Sequence, residues 1–185
     1  MSDDFGKYVR AAKAYIGRTS AVETACDVVE AGAVRRYAQA IGDEDPVYRD
    51  GPEARAAFGG PVAPPLFPTW MFRRSFGEPD PVEEHAADPD FDGVGAPAAQ
   101  GLPPIAELAE FSVLNGGVSV EFFRYARHGE SVTVQSRYAD VSEKLASSGP
   151  MILIVIESEY RAGNGDLLLR VARTGIRRKM SAGRA

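Results

Sequence analysis

Apolar residues recur at helical spacing twice in the first part of the chain. The earlier set predicts a helix with apolar positions at Phe5, Tyr8, Val9, Ala12, Tyr15 and Ile16. The later set predicts an amphipathic surface helix from Ala31 to Ile41, ended by Gly42, with apolar positions at Val34, Tyr37, Ala38 and Ile41. Between the two helices, Val22 to Val29 has the composition of a strand, in which the Cys26 thiol is expected to be buried.

Two further helices are predicted in the middle of the chain. A short one runs from Pro52 to Phe58, because proline favours the first helical turn and a glycine pair follows. Another runs from Leu66 to Phe76, which as a helix would be about 16 Å long. It is apolar around most of its circumference, so it is expected to lie under a sheet. Residues 77–104 are rich in proline and poor in large apolar side chains, which predicts a long loop.

Strand patterns fill the last part of the chain. Apolar and polar residues alternate over Val118–Phe122 and Val132–Gln135, whereas Met151–Ile156 is continuously apolar. Asn164-Gly165 then predicts a tight hairpin turn before a strand over Leu167–Arg177. These elements predict an α+β fold, an antiparallel sheet wrapped around a central helix, as a single domain over residues 1–185 with its core at about 10–178.

Composition narrows the classes of function. Of the 185 residues, 44% are hydrophobic and 25% charged, and the net charge of −5 disfavours binding to nucleic acid or to an anionic membrane. No apolar run approaches the roughly 18 residues of a membrane span, and the start of the chain lacks the pattern of a signal peptide, so a cytoplasmic location is expected. One cysteine excludes an intrachain disulfide, and two histidines make a metal site improbable. Neither a metal nor another cofactor is expected.

Two segments carry the strongest motif. The sequence reads RRYAQAIGDEDPVYRD over Arg35–Asp50 and GGPVAPPLFP over Gly59–Pro68. Together with Leu114–Gly117, Glu121–Arg124, Gly129–Val132 and the last pair of strands, they resemble the MaoC-like dehydratase family, in its N-terminal (FAS1-like) dehydratase domain. The resemblance covers about residues 10–178 and implies the hot-dog fold. It also implies (R)-specific hydratase or dehydratase chemistry, which is hydro-lyase chemistry, on acyl thioesters of coenzyme A or acyl carrier protein.

The family motif is Gly-Asp-x-Asn-Pro-x-His-x-Asp, followed by Ala-His-Gly. Removing water from a 3-hydroxyacyl thioester needs a base, an acid and a donor to the thioester oxygen. The resemblance implies that the motif's Asp and His move the protons and that the Gly N–H is the donor. Asp43 matches the catalytic aspartate, but Asp45 replaces Asn and Tyr48 replaces His. Pro64-Pro65 replaces His-Gly, and proline has no N–H.

These departures affect both parts of the expected machinery. Tyrosine, with a pKa of about 10, is a poor base at neutral pH. Losing an oxyanion donor typically costs about 10² to 10³ in rate, and losing the base about 10² to 10⁴ more. The resemblance then implies a supporting, non-catalytic subunit of a heterodimeric (R)-specific 3-hydroxyacyl-CoA/ACP dehydratase (an enoyl-thioester hydratase), which stabilises a catalytic hot-dog partner and shapes the acyl-chain tunnel. The substrate contacts expected on this basis are Pro64, Pro65, Phe67, Trp70 and Met71.

Two alternatives remain open at this point. The chain could be a self-sufficient homodimeric hydratase in which Asp43 acts with Asp45, Tyr48 or His85. It could instead be a non-enzymatic module that binds acyl thioesters. His85 and His128 are both expected to be surface residues. A monomer is not expected, because a lone hot-dog leaves an edge strand unpaired.

Overall fold

Helices precede the long strands of the sheet. The computed structural model describes residues 3–72, 77, 83, 86–89, 101–147 and 149–179. Within them the helices are α1 (Asp3–Lys13), α2 (Ala31–Ile41), α3 (Pro52–Phe58) and α4 (Phe67–Trp70), with 3₁₀ turns at Pro46–Tyr48 and Ala106–Leu108. The bounds of α2 and α3 are those predicted, because each helix ends at a glycine in the left-handed conformation that glycine adopts most readily, Gly42 and Gly59. No described helix is long and apolar enough to cross a membrane.

All strands of the sheet are antiparallel. They are β1 (Glu23–Thr24), β2 (Phe111–Phe122), β3 (Val132–Ala146), β4 (Gly149–Ala162) and β5 (Leu167–Lys179). Their order across the sheet is β1-β3-β4-β5-β2, so within the described part of the chain β2 lies at an edge and pairs only with β5. The Asn164-Gly165 turn joins β4 to β5 as predicted, and the Asn164 Oδ1 accepts a hydrogen bond from the Asp166 N–H at 3.1 Å.

The predicted strand around Cys26 is wrong in extent. Within the predicted strand, Glu23 and Thr24 pair with β3, the Ala25 N–H still donates to the Val132 carbonyl at 2.9 Å, and the chain then bends at Cys26-Asp27. The Val29 N–H then returns to the Glu130 carbonyl at 2.9 Å. Because the bend turns the thiol outwards, Cys26 is exposed and not buried.

The helix predicted from Leu66 to Phe76 is also shorter in the part of this segment that the structure describes. Helix α4 is a single turn, about 6 Å long. Leu66 precedes it as the N-cap residue, and Met71 follows it as the C-cap residue. Residues 73–76 and most of the predicted loop lie outside the described residues.

The buried residues form two clusters on the sheet. The first packs α2 and α4 against the β3–β5 part of the sheet, with large buried members Val34, Phe67, Met71, Val134, Tyr160, Leu168, Leu169 and Val171. The second packs α1 and the end of the predicted loop against the opposite end of the strands, with Phe5, Val9, Leu102, Ile105, Leu108, Phe111, Tyr138 and Ile152. Full burial of one large apolar side chain stabilises a fold by about 1.5 to 3 kcal/mol, so these clusters hold the helices in place.

Candidate functional site

The motif residues begin where α2 ends. Gly42, with φ of 70°, turns the chain back, and the Asp43 N–H donates to the Ala38 carbonyl at 3.0 Å. The Tyr48 hydroxyl donates to Asp43 Oδ2 at 2.9 Å. Asp45 instead caps its own 3₁₀ turn, because its Oδ1 accepts the Val47 N–H at 3.0 Å. The structure therefore pairs Asp43 with Tyr48 and occupies Asp45 locally.

The Tyr48 hydroxyl is held in its protonated form. Burial raises the pKa of Tyr48 well above its ordinary value, and the hydrogen bond to Asp43 and the nearby carboxylate charge raise it further. A phenol with a raised pKa keeps its proton at neutral pH, so it donates a hydrogen bond and does not act as a base. The group at the position of the motif's histidine is therefore a hydrogen-bond donor to Asp43.

At the second motif position, the N–H groups of Ala63 and Phe67 are already used in hydrogen bonds within the fold. The Ala63 N–H donates to the Ala126 carbonyl at 2.8 Å, and the Phe67 N–H donates to the Pro64 carbonyl at 2.9 Å. Pro64 and Pro65 have no N–H at all. Pro64 is fully buried and Pro65 is half-buried in a turn.

The three residues expected to contact an acyl chain differ in exposure. Phe67 and Met71 are buried in the first cluster, with 1% and 7% of their surface exposed, whereas Trp70 keeps 38% exposed. Phe67 and Trp70 both pack against Tyr37, with ring centroids 5.5 and 6.1 Å from it. Of these three side chains, only that of Trp70 is substantially exposed. Contact with an acyl chain stays a prediction for all three.

A pocket of about 440 Å³ lies between α2 and the motif segment. Tyr48 and Asp45 line it, but Asp43 and residues 63–71 do not. Its lining residues are Ala31, Gly32, Arg35, Ala38, Gln39, Glu44, Asp45, Tyr48, Arg49, Asp50 and His128. The pocket therefore joins two predicted site residues to a histidine from a distant part of the chain.

Comparison with known proteins places this geometry in a family. Residues 14–171 match the family described as the FAS1-like dehydratase domain region. The chain belongs to this FAS1-like dehydratase family. No curated protein matches the chain.

Solved structures with the same fold accompany this family assignment. The chain is similar to a chain of the ChsH1-ChsH2 complex from Mycobacterium tuberculosis, with 21% identity, a TM-score of 0.69, and 99% of this chain and 96% of that chain covered. A MaoC-like dehydratase from Rhodospirillum rubrum has 18% identity, a TM-score of 0.54, and 90% and 94% coverage. A chain of the HadBC (3R-hydroxyacyl-ACP dehydratase) complex from Mycobacterium tuberculosis has 14% identity, a TM-score of 0.50, and 85% and 95% coverage. These similarities confirm the predicted hot-dog fold of this chain.

His128 is the pocket residue that sequence reasoning missed, because it was expected at the surface. An isolated β-bridge between Val62 and Arg127 brings His128 beside the motif. The backbone N–H of His128 donates to the Pro61 carbonyl at 3.2 Å. The ring is part-buried, and its Nε2 is buried with no hydrogen-bond partner among the described residues. The only local signal is Gly129, whose φ of 83° makes the turn that follows.

The stability of the folded chain is expected to fall as the pH drops below about 6.5. Burial lowers the pKa of His128, and a hydrogen bond to the Val62 backbone and the charge of Asp50 only partly oppose this. Between the lowered pKa of folded His128 and its ordinary value of about 6.5, the unfolded chain therefore binds more protons than the folded chain. The contribution of neutral His128 to the free energy of unfolding is complete above the unfolded pKa and is lost on acidification.

The measurement is the thermal unfolding temperature from about pH 7.5 to about pH 5.5, for the wild type and for His128→Gln. Glutamine does not titrate, so the variant should lose less of its unfolding temperature over this range. Parallel curves would show that His128 does not contribute to the pH dependence.

Proposed function

We propose that this chain is the supporting subunit of a heterodimeric (R)-specific 3-hydroxyacyl-CoA/ACP dehydratase, in which a second hot-dog chain carries the chemistry. The Tyr48–Asp43 hydrogen bond is the observation that carries the proposal. It binds the catalytic-position aspartate to a phenol that stays protonated, where the family's chemistry needs a base. In this proposal the chain stabilises the partner and forms part of the wall of the acyl-chain tunnel.

The edge strand β2 supports a second chain as partner. Its residues Val118, Val120 and Phe122 share one face of the strand and keep 56%, 41% and 42% of their surface exposed. Val113, Leu114 and Phe123, in or beside the same strand, are also exposed apolar residues. A long edge with this composition is stabilised when another chain covers it. Both ChsH1-ChsH2 and HadBC, whose folds this chain shares, are complexes.

A network of ion pairs holds β2 in register on the opposite face of the sheet. Arg170 on β5 donates to Glu121 on β2 at 2.7 Å and to Glu159 on β4 at 2.9 Å. Arg161 also donates to Glu159 at 2.6 Å. The hydrogen bond from Arg161 has the largest effect in lowering the pKa of Glu159, and the hydrogen bond from Arg170 lowers it further. Single exposed ion pairs contribute little, but a network that crosses three strands fixes side-chain geometry, so β2 is presented as an ordered edge.

Enoyl-thioester hydration measures the proposed function directly. The purified chain, its MaoC-like partner and an equimolar mixture are each given crotonyl and longer enoyl thioesters of coenzyme A and of acyl carrier protein. We expect ordinary enzyme rates only in the presence of the partner, and the highest rates and stability in the mixture. Hydration by this chain alone at ordinary enzyme rates would overturn the proposal.

A matched pair of variants locates the chemistry in the mixture. Asp43→Asn in this chain is expected to leave the rate within about threefold, because its carboxylate is occupied by Tyr48. The equivalent change in the partner's catalytic aspartate should lower the rate by at least about a hundredfold. A large loss from Asp43→Asn alone would mean that this chain takes part in catalysis.

A further inference from the structure

The strand next to the exposed edge of the sheet is strongly basic. Strand β5 contains four arginines, one lysine and no acidic residue, in a chain whose net charge is −5. Its neighbour β2 contains a single acidic residue, Glu121. The β2–β5 edge therefore carries a local excess of positive charge, opposite in sign to the charge of the whole chain.

Arg177 on β5 is a half-buried cation that no carboxylate in the described part of the chain neutralises. In the register of the sheet it lies between Ile152 of β4 and Val113 of β2. Ile152 is fully buried, whereas Val113 on the edge strand is 40% exposed. Burial lowers the pKa of Arg177, and Tyr138 partly opposes this, but an arginine keeps its charge at neutral pH. A half-buried charge is destabilising unless a counter-charge approaches it.

Strand β2 offers no carboxylate to this guanidinium. Its one acidic side chain, Glu121, accepts a hydrogen bond from Arg170 at 2.7 Å on the opposite face of the sheet. Residues that oppose each other in the register share a face. The β2 residues on the face of Arg177 are therefore Phe111, Val113, Asn115, Val118, Val120 and Phe122, none of which is acidic.

A second copy of this chain would not supply the missing charge. Its β2 strand would bring the same face without a carboxylate, and its β5 strand would add more positive charge to the same edge. A different strand paired with β2 would lie about 10 Å from β5, because neighbouring strands are about 4.8 Å apart. An aspartate or glutamate on that strand can meet an arginine side chain that extends across Val113.

We infer that the hot-dog chain that covers β2 places a carboxylate against Arg177, so that this edge selects an acidic partner strand over a second copy of this chain. The inference rests on the proposed function, because it takes a second hot-dog chain as the molecule that covers β2. In the complex the guanidinium donates hydrogen bonds to the carboxylate. Apolar contacts along β2 supply most of the buried area, and the ion pair adds selectivity.

Three variants separate the charge of Arg177 from its contribution to packing. Arg177→Met keeps a long unbranched side chain without charge, and Arg177→Lys keeps the charge. Lys144→Met is the matched control, since it removes an exposed cation from β3, away from the β2 edge. In the isolated chain, Arg177→Met should leave the unfolding temperature unchanged or raise it. A clear fall would overturn the inference, because it would show that Arg177 is already stabilised within this chain.

Calorimetric titration with the MaoC-like partner measures the association. We expect Arg177→Met to raise the Kd at least about tenfold, Arg177→Lys to raise it less, and Lys144→Met to stay within about threefold of the wild type. The partner's aspartates and glutamates are then changed one at a time to asparagine and glutamine. One of these variants should weaken binding about as much as Arg177→Met, and combining the two changes should weaken it little further, which identifies the paired carboxylate.

The remaining outcomes separate the inference from the proposed function. An active mixture in which Arg177→Met binds as the wild type does, or in which no partner variant is coupled to Arg177, contradicts only the inference. Self-association of this chain through β2 that is tighter than its binding to the partner also overturns it. An inactive mixture whose association depends on Arg177 contradicts only the proposed function, and two chains that do not associate contradict both.

Discussion

Replacing Val120 by glutamate is expected to weaken association with the hot-dog partner by at least about a hundredfold, which corresponds to about 2.7 kcal/mol. Val120 lies mid-strand on β2, opposite Val171 in the register of the sheet, and 41% of its surface is exposed. Glutamate would have to lose its hydration when the partner covers the edge, and no cation among the described residues pairs directly with this position. Because the side chain is already partly in water, the isolated chain should fold normally.

Analytical ultracentrifugation or calorimetry of the mixed subunits measures this loss, with hydration activity as a second readout. Leu145→Glu is the matched control, since Leu145 is 71% exposed on β3, away from the β2 edge. The control should associate with the partner as the wild type does. Equal binding by Val120→Glu and the wild type would show that β2 is not the contact.

Phe67→Ala is expected to lower the free energy of unfolding by about 3 to 5 kcal/mol. The ring is 1% exposed and packs against Tyr37 and Trp70 within the first buried cluster. Truncation removes its transfer free energy and leaves a cavity between α2, α4 and the sheet. Denaturant unfolding of the isolated chain measures the loss.

Trp70→Ala provides the comparison within the same helix turn. Since 38% of Trp70 remains exposed, its truncation should cost about 1 to 2 kcal/mol. If Trp70 contacts the acyl chain as proposed, Trp70→Ala in the mixture with the partner should also alter the preference for acyl-chain length. Similar stability losses for the two variants would contradict the assignment of Phe67 to the core and Trp70 to the surface.

Helix boundaries were predictable where local chemistry decides them. Gly42 and Gly59 adopt left-handed conformations that favour glycine, and they end α2 and α3 at the predicted residues. The Asn164-Gly165 turn joins β4 to β5 for a similar local reason. In each case the signal and the structure that it specifies lie within a few residues of each other.

Elements that depend on tertiary contacts were predicted less well. The composition of Val22–Val29 favours a strand, but the chain bends at Cys26-Asp27, and Val29 then forms single hydrogen bonds with Gly129 and Glu130, which precede β3. The apolar run after Pro65 indicates burial, which Phe67 and Met71 confirm. Burial does not require helix along the whole run, so the length of α4 did not follow from the pattern.

The candidate site shows the same division. Asp43 and Tyr48 are five positions apart on one turn, so their contact follows from the motif itself. His128 reaches the pocket only because the chain around Arg127 pairs with Val62. No periodicity or spacing within the sequence encodes that pairing.

The bulge in β2 affects how exposed this edge is to other strands while no partner covers it. The register of β2 with β5 shifts between Asn115 and Gly117, and a Cβ at Gly116 would lie 2.9 Å from the Thr174 carbonyl. Such a bulge twists an edge away from flatness, which hinders indiscriminate strand addition and aggregation. The apolar stretch from Val118 to Phe122 lacks that protection. In the proposed heterodimer, synthesis of the two chains in equal amounts would therefore cover the β2 edge of each newly made copy. An excess of this chain would leave that edge exposed and prone to aggregate.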